Sequence, residues 1–435
     1  ASQRFAEHPE LEAQIHDLLG AVYTKLALSP QGTAEYKAAW ERRQSAAGPD
    51  DPRTLSAQVG FVQSLGNEGR QREADSAIVQ LAPRVERVLG TNHPAWYDVQ
   101  RMLALRLAAR GDMVKADESL SSLLNRARNS AMDESTQVEI LWNLSRILAR
   151  RLDVVQEANS EVIRQRCEAV ASELFDIPSR RFGPDAPMTL EAQVILAIAA
   201  WYGGDNARAA ELSRAVLDAS RDRLGECHWF RQRAMEILGN AVARLADAPQ
   251  SADLYLQILQ CQREMPVHPV VFMGKLFDAL PVLDRGGRWI EGEQVARELV
   301  VRLQELGGGH DQMLLDAELA VARFVDLQGR WDEAESIFGA LLPRENDARE
   351  NQRTFARMHL FYGAHLAKRG MYEEAHEHLQ MAASAIPDIR KGTGKTVPDD
   401  IIVEFIALYR AWGKPEKVAE FEQLQVESLQ SSVLE

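Results

Sequence analysis

The chain has 435 residues, more than one hydrophobic core usually serves, so it must divide into domains or extend as a repeat array. At 46% hydrophobic and 26% charged it reads as a folding sequence, and a net charge of −14 argues against a nucleic-acid partner, which needs clustered Lys and Arg. No run approaches roughly 18 uninterrupted apolar residues, so no membrane partner is expected.

The N-terminal stretch ASQRFAEHPELEAQ carries neither an apolar signal core nor a starting Met and reads as a cut or processed chain. From there a turn residue between paired helices recurs at Ala27, Gly69, Gly111, Leu152, Gly204, Ala246, Gly287, Gly329, Gly370 and Gly413. The intervals are 42, 42, 41, 52, 42, 41, 42, 41 and 43 residues, a repeat with one long unit. Eight residues before each marker stand Leu19, Phe61, Leu103, Leu144, Leu196, Leu238, Ala279, Val321, Tyr362 and Phe405. Four before stand Tyr23, Leu65, Leu107, Leu148, Ala200, Val242, Leu283, Val325, Leu366 and Tyr409. Chance would make all twenty hydrophobic with a probability of about 10⁻⁷, so the spacing predicts one buried stripe on the first helix of every pair. A small residue five positions after the marker (Ala74, Ala116, Ala209, Ala334, Ala375) lets the second helix approach closely, and an aromatic at plus two (Trp289, Trp331, Tyr372) is expected to cover the seam. The long fourth interval places an extra segment at about 160–187, either an extended second helix or a protruding loop.

These helical pairs, with their Gly, Ala and Leu spacing, resemble tetratricopeptide repeats. The period near 42 is similar to the kinesin-light-chain variety, whose units are joined by His-Pro-type linkers. AAGPDDPRTL near 47–55, VLGTNHPAW at 88–96, RFGPDAPMTL at 181–190 and MPVHPVVF at 265–272 match such linkers. Leu152 in place of a turn Gly, and Asp185-Ala186-Pro187 and GECHW in place of His-Pro, depart from the pattern. The resemblance implies an all-α, right-handed α-solenoid of about ten units, running as one continuous array over residues 1–435. The two ends, FAEHPELEAQIHDLLGAVYTKLA and IALYRAWGKPEKVAEF, resemble the repeat extension behind bacterial serine/threonine protein kinase domains, although no catalytic loop, DFG or phosphate loop of a kinase is present.

KGTGKT at 391–396 has the last residues of a phosphate-binding loop, but Ile389 stands where its first glycine belongs and a helix, not a strand, precedes it. It reads as a linker. His93, His228, His268 and His310 each follow a marker by 22 to 24 residues and read as helix caps, too far apart to share an ion. HEH at 376–378 lies on one helix, where neighbouring side chains diverge. Cys167, Cys227 and Cys261 form no CxxC pair and read as reduced thiols of a cytoplasmic protein. No catalytic residue, cofactor or metal is expected.

Binding remains. The first helices should line a concave groove. Positions opposite the core stripe yield Trp142, Arg146 and Arg150 in unit four, with Val194, Ile198 and Trp201 in unit five. They yield Asn240 and Arg244 in unit six, then Arg285, Arg323, Lys368 and Arg410. Asn143 matches the helix asparagine that, by the kinesin-light-chain resemblance, contacts a bound peptide's backbone. Arginines along a groove predict an acidic, extended peptide, because the guanidinium fork pairs carboxylates bidentately, with tryptophans as anchors. Three readings follow: a non-catalytic interaction scaffold, the regulatory region of a bacterial protein kinase, or a homo-oligomer stacked end to end.

Overall fold

A computed structural model describes residues 9–25, 29–130, 132–154, 160–264, 269–307, 310–345, 351–385 and 399–434. They form twenty α-helices, and no strand occurs among the described residues. The chain divides into two compact units, residues 1–225 and 226–435, where the sequence reads as one continuous array. The repeat stays in phase across that boundary, 42 residues separating Gly204 from Ala246, so periodicity cannot reveal it.

Unit 1 is an α-solenoid of five helical hairpins: α1 (Pro9–Lys25) with α2 (Ser29–Ala47), α3 (Pro52–Asn67) with α4 (Gln71–Leu89), α5 (Pro94–Ala109) with α6 (Met113–Asn129), α7 (Glu134–Val154) with α8 (Ser160–Phe182), and α9 (Pro187–Tyr202) with α10 (Asn206–Ala219). Unit 2 repeats the design with α11 (Trp229–Arg244) and α12 (Ala248–Glu264), α13 (Pro269–Arg285) and α14 (Trp289–Leu306), α15 (Asp311–Leu327) and α16 (Trp331–Leu341), α17 (Gln352–Lys368) and α18 (Tyr372–Ser384), α19 (Asp399–Trp412) and α20 (Pro415–Leu434). Within each unit most first helices pack on the next first helix, α3 on α5, α7 on α9, α15 on α17, which makes them the inner layer.

The hairpin turn has one mechanism. At eight markers the backbone takes positive φ, and the next residue's N–H donates to the carbonyl of the stripe residue four before the marker. Arg70 reaches Leu65, Asp112 Leu107, and Arg330 Val325, at 2.9, 3.0 and 3.2 Å. This reversed bond closes the helix end and directs the second helix back along the first. Seven of the eight are glycines; Ala246, at φ 66°, is the exception. Leu152 is no turn at all. It lies inside α7, 4% exposed, because that helix continues to Val154. The long interval is thus taken up by a 21-residue α7 and a 23-residue α8, an extended helix pair rather than a protruding loop.

Of the twenty stripe positions only Leu19 is exposed, at 38%, on the first helix of the array. The five alanines at plus five are all buried. Trp289 and Trp331 instead begin their helices with much of the ring exposed, and Tyr372 stacks on Trp412 at 5.9 Å. His93, His228 and His310 occupy N-cap positions, and His93 Nδ1 accepts from the Ala95 N–H. KGTGKT and His268 lie outside the described residues.

The cysteine reading fails for two of the three. Cys227 and Cys261 form a disulfide; Cys167 is fully buried and lies outside it. Cys227 precedes α11 and Cys261 sits near the end of α12, so folding the hairpin brings their Cα atoms to 5.0 Å. A separation of 34 residues resembles no disulfide motif until the hairpin closes.

Candidate functional site: the inner face

On α7 the helical repeat puts Trp142, Arg146 and Arg150 in one stripe at i, i+4 and i+8. Trp142 is half-buried, and its indole N–H donates to Glu191 Oε2 on α9 at 2.6 Å. The exposed Arg146 guanidinium lies over the Trp142 ring, 4.7 Å from its centroid, with Nε 3.8 Å from Glu191 Oε1. Glu191 is only 7% exposed, and its Oε1 accepts no hydrogen bond. Burial pushes its carboxyl above the usual carboxylate range, opposed by the Trp142 hydrogen bond and the charge of Arg146. Arg150 is exposed and has no ion-pair partner among the described residues.

Asn143 leaves the exposed set. It is 2% exposed, one position round the helix from Trp142, and its amide donates to the Glu139 carbonyl at 2.8 Å. Val194 and Ile198 are likewise core residues, because α9 is enclosed by α7, α8 and α10 and buries eleven of its residues. Trp201 is half-buried, its ring edge-on to Tyr202 at 4.5 Å.

In unit 2 the expected contacts are taken up internally. Asn240 Oδ1 accepts from the Tyr255 hydroxyl at 2.9 Å, tying α11 to α12. Arg244 is exposed at the end of α11. Arg323 on α15 donates to Asp284 of α13 at 3.3 Å and to Glu404 of α19 at 3.0 Å, with its guanidinium 5.3 Å from the Phe361 ring of α17. One side chain so joins four successive inner helices, and a ligand would have to displace both carboxylates to reach it. Lys368 is similarly held by Asp326 at 2.6 Å, and Arg410 by Glu422.

Sequence reasoning missed Glu191, Asp117 and Arg101. Asp117 of α6 is 1% exposed and takes ion pairs from Arg151 of α7 and, at 2.7 Å, Arg166 of α8. Arg101 of α5 is 4% exposed, bonded to Asp98 and 3.8 Å from Glu139 of α7. Their signal was a charged residue at a position whose periodicity is buried. The histidines of HEH diverge as neighbours on a helix must: His376 meets the Tyr409 hydroxyl at 3.0 Å and His378 meets His359 at 2.8 Å.

No family model and no curated protein matches this chain. Solved structures do. The apo quorum sensor NprR from B. thuringiensis is similar at a TM-score of 0.53 and 12% identity, over 86% of this chain and 98% of that one. Apo RapI is similar at 0.52 and 12%, over 87% and 99%. A kinesin light chain with nearly identical TPR-like repeats from Podosopora anserina matches at 0.36 and 18%, over 49% and 97%. The fold is that of tetratricopeptide-like repeat proteins. Arg323 in unit 2 is held by two carboxylates at 3.3 and 3.0 Å, whereas in unit 1 Arg146 stays exposed with Glu191 at 3.8 Å, and Arg150 is exposed beside it.

Proposed function

We propose that the protein is a non-catalytic scaffold that holds a peptide or protein segment on the inner face of residues 1–225. The observation that carries this reading is the α7 stripe, where two exposed guanidiniums stand one turn apart beside a half-buried indole. In a chain of net charge −14, such a stripe favours an acidic, extended segment, whose carboxylates would meet Arg146 and Arg150 while an apolar side chain covers the edge of Trp142. Of the other expected contacts, the half-buried Trp201 contributes less, and Asn240, Arg244 and Arg323 belong to residues 226–435 and are not part of this site.

The test uses a fluorescent glutamate-rich decapeptide and the full chain. Binding should be measurable at low salt and weaken as salt rises, because exposed charges are screened. Arg146→Glu combined with Arg150→Glu should abolish it, since the substitutions add repulsion as well as removing contacts. Equal affinity of parent and double variant removes the proposal. Trp142→Ala is the poorer variant, because it strips the one hydrogen bond to a buried carboxylate and so perturbs the fold.

A further inference from the structure

The last repeat of unit 2 contains a cavity of about 490 Å³, lined by none of the α7 stripe residues. That size is typical of a small-molecule pocket. It forms where α20 stands off from α18 and leaves the aromatic flank of α19 as its floor. Phe405, Tyr409 and Trp412 recur there at i, i+4 and i+7, with ring centroids 6.0 and 6.2 Å apart and planes within 17° and 6° of parallel. Phe421 of α20 closes one side, 4.6 Å from Phe405.

The charged groups lining this cavity are two lysines, Lys414 and Lys417, and one carboxylate, Glu420. Lys414, in the turn between α19 and α20, is exposed, with its ammonium 3.1 Å from the Trp412 ring centroid. No carboxylate among the described residues pairs with it. Lys417 is matched by Glu420 at 2.7 Å. His376 donates or accepts at the Tyr409 hydroxyl, and burial together with Lys414 and Lys417 holds it below its ordinary pKa. The charge left over is one ammonium, seated against an aromatic wall.

We propose that this cavity is a binding site for a small aromatic carboxylate, whose ring stacks on the Tyr409–Trp412 flank and whose carboxylate pairs with Lys414. Aromatic stacking supplies a body contact, and the ammonium selects for the anion through a charge-assisted hydrogen bond. The site is independent of the α7 stripe, so the fate of one leaves the other untouched.

The experiment titrates the full chain with 3-phenylpropionate and, separately, with its uncharged twin 3-phenylpropanamide, by calorimetry. The carboxylate should bind at least about tenfold more tightly than the amide. Lys414→Gln, a change at an exposed turn position, should erase that preference without altering the melting temperature. Trp412→Leu should weaken both ligands, with far-ultraviolet circular dichroism checking that the helices persist. Equal affinities in the parent, an undiminished preference in Lys414→Gln, or no saturable binding at millimolar concentration would each overturn the assignment.

Discussion

Ala246 occupies a left-handed turn position that seven other hairpins fill with glycine. A side chain there costs about 1–2 kcal/mol, partly offset by the larger unfolded-state freedom of glycine. Ala246→Gly should therefore raise stability by about 0.5–1 kcal/mol, read from denaturant midpoints; a fall would show that the alanine methyl contributes packing. Glu191 makes the opposite kind of compromise. Its folded carboxyl pKa is raised chiefly by burial, so ionising it opposes folding, and the penalty is present at every pH above the folded pKa. Glu191→Gln keeps an oxygen for the Trp142 indole and removes the buried charge. The variant should melt higher than the parent at neutral pH, by the equivalent of about 1 kcal/mol, and lose that advantage in acid. A lower melting temperature at neutral pH would mean that the charged bond to Trp142 and the field of Arg146 outweigh desolvation.

Between elements, buried charge fixes which helices meet. His365 of α17 is fully buried, with Nδ1 2.8 Å from Asp326 of α15 and Nε2 2.8 Å from Glu335 of α16, while Lys368 completes the group. Burial pulls the His365 pKa down, but the hydrogen bonds and charges of Asp326 and Glu335 prevail and raise it above its ordinary value near 6.5. A raised imidazole pKa stabilises fully below about 6.5 and loses that contribution as pH rises through the folded value. Asp326 is opposed by burial yet held below its usual range by His365 and Lys368, so its contribution is lost on acidification. The His365–Asp326 pair should accordingly contribute most in the mildly acidic window between these titrations. Because His228, His376 and His378 are held below their ordinary values and act in the opposite sense, the measurement is the difference: the melting advantage of the parent over His365→Gln should shrink from pH 6 towards pH 8.5, and a constant difference would place the pH dependence elsewhere. In unit 1, Asp117 does the equivalent job by joining α6, α7 and α8, which is how a lengthened helix pair stays in the array.

For the molecule as a whole, the disulfide matters to one half. It closes a loop over a separation of 34 residues inside unit 2, a constraint on the unfolded chain worth about 2–4 kcal/mol. Reduction should lower the resistance of residues 226–435 to denaturant by that amount and leave hydrogen-exchange protection in residues 1–225 unchanged. Equal loss in both units would contradict the division drawn at Gly225. The sequence by itself determined the helices, their pairing and nearly every turn, because a period near 42 residues repeats a local rule and a hairpin turn needs only its own stripe and marker, as at the eight positive-φ markers. It also placed Trp142, Arg146 and Arg150 on one face, since i+4 spacing is a property of any helix. The tertiary structure decided what depends on residues far apart in the chain. Leu152 read as a turn but continues a helix, and Asn143 turned inward because its neighbours on α7 claim the exposed face. Cys227 met Cys261 only through hairpin closure, and Arg323 met Glu404 across 81 residues only because successive inner helices pack side by side. Periodicity reports the face a residue takes on its own helix; which charges meet is set by the neighbouring helices, which bring Glu191 beside Arg146 and close Asp284 and Glu404 around Arg323.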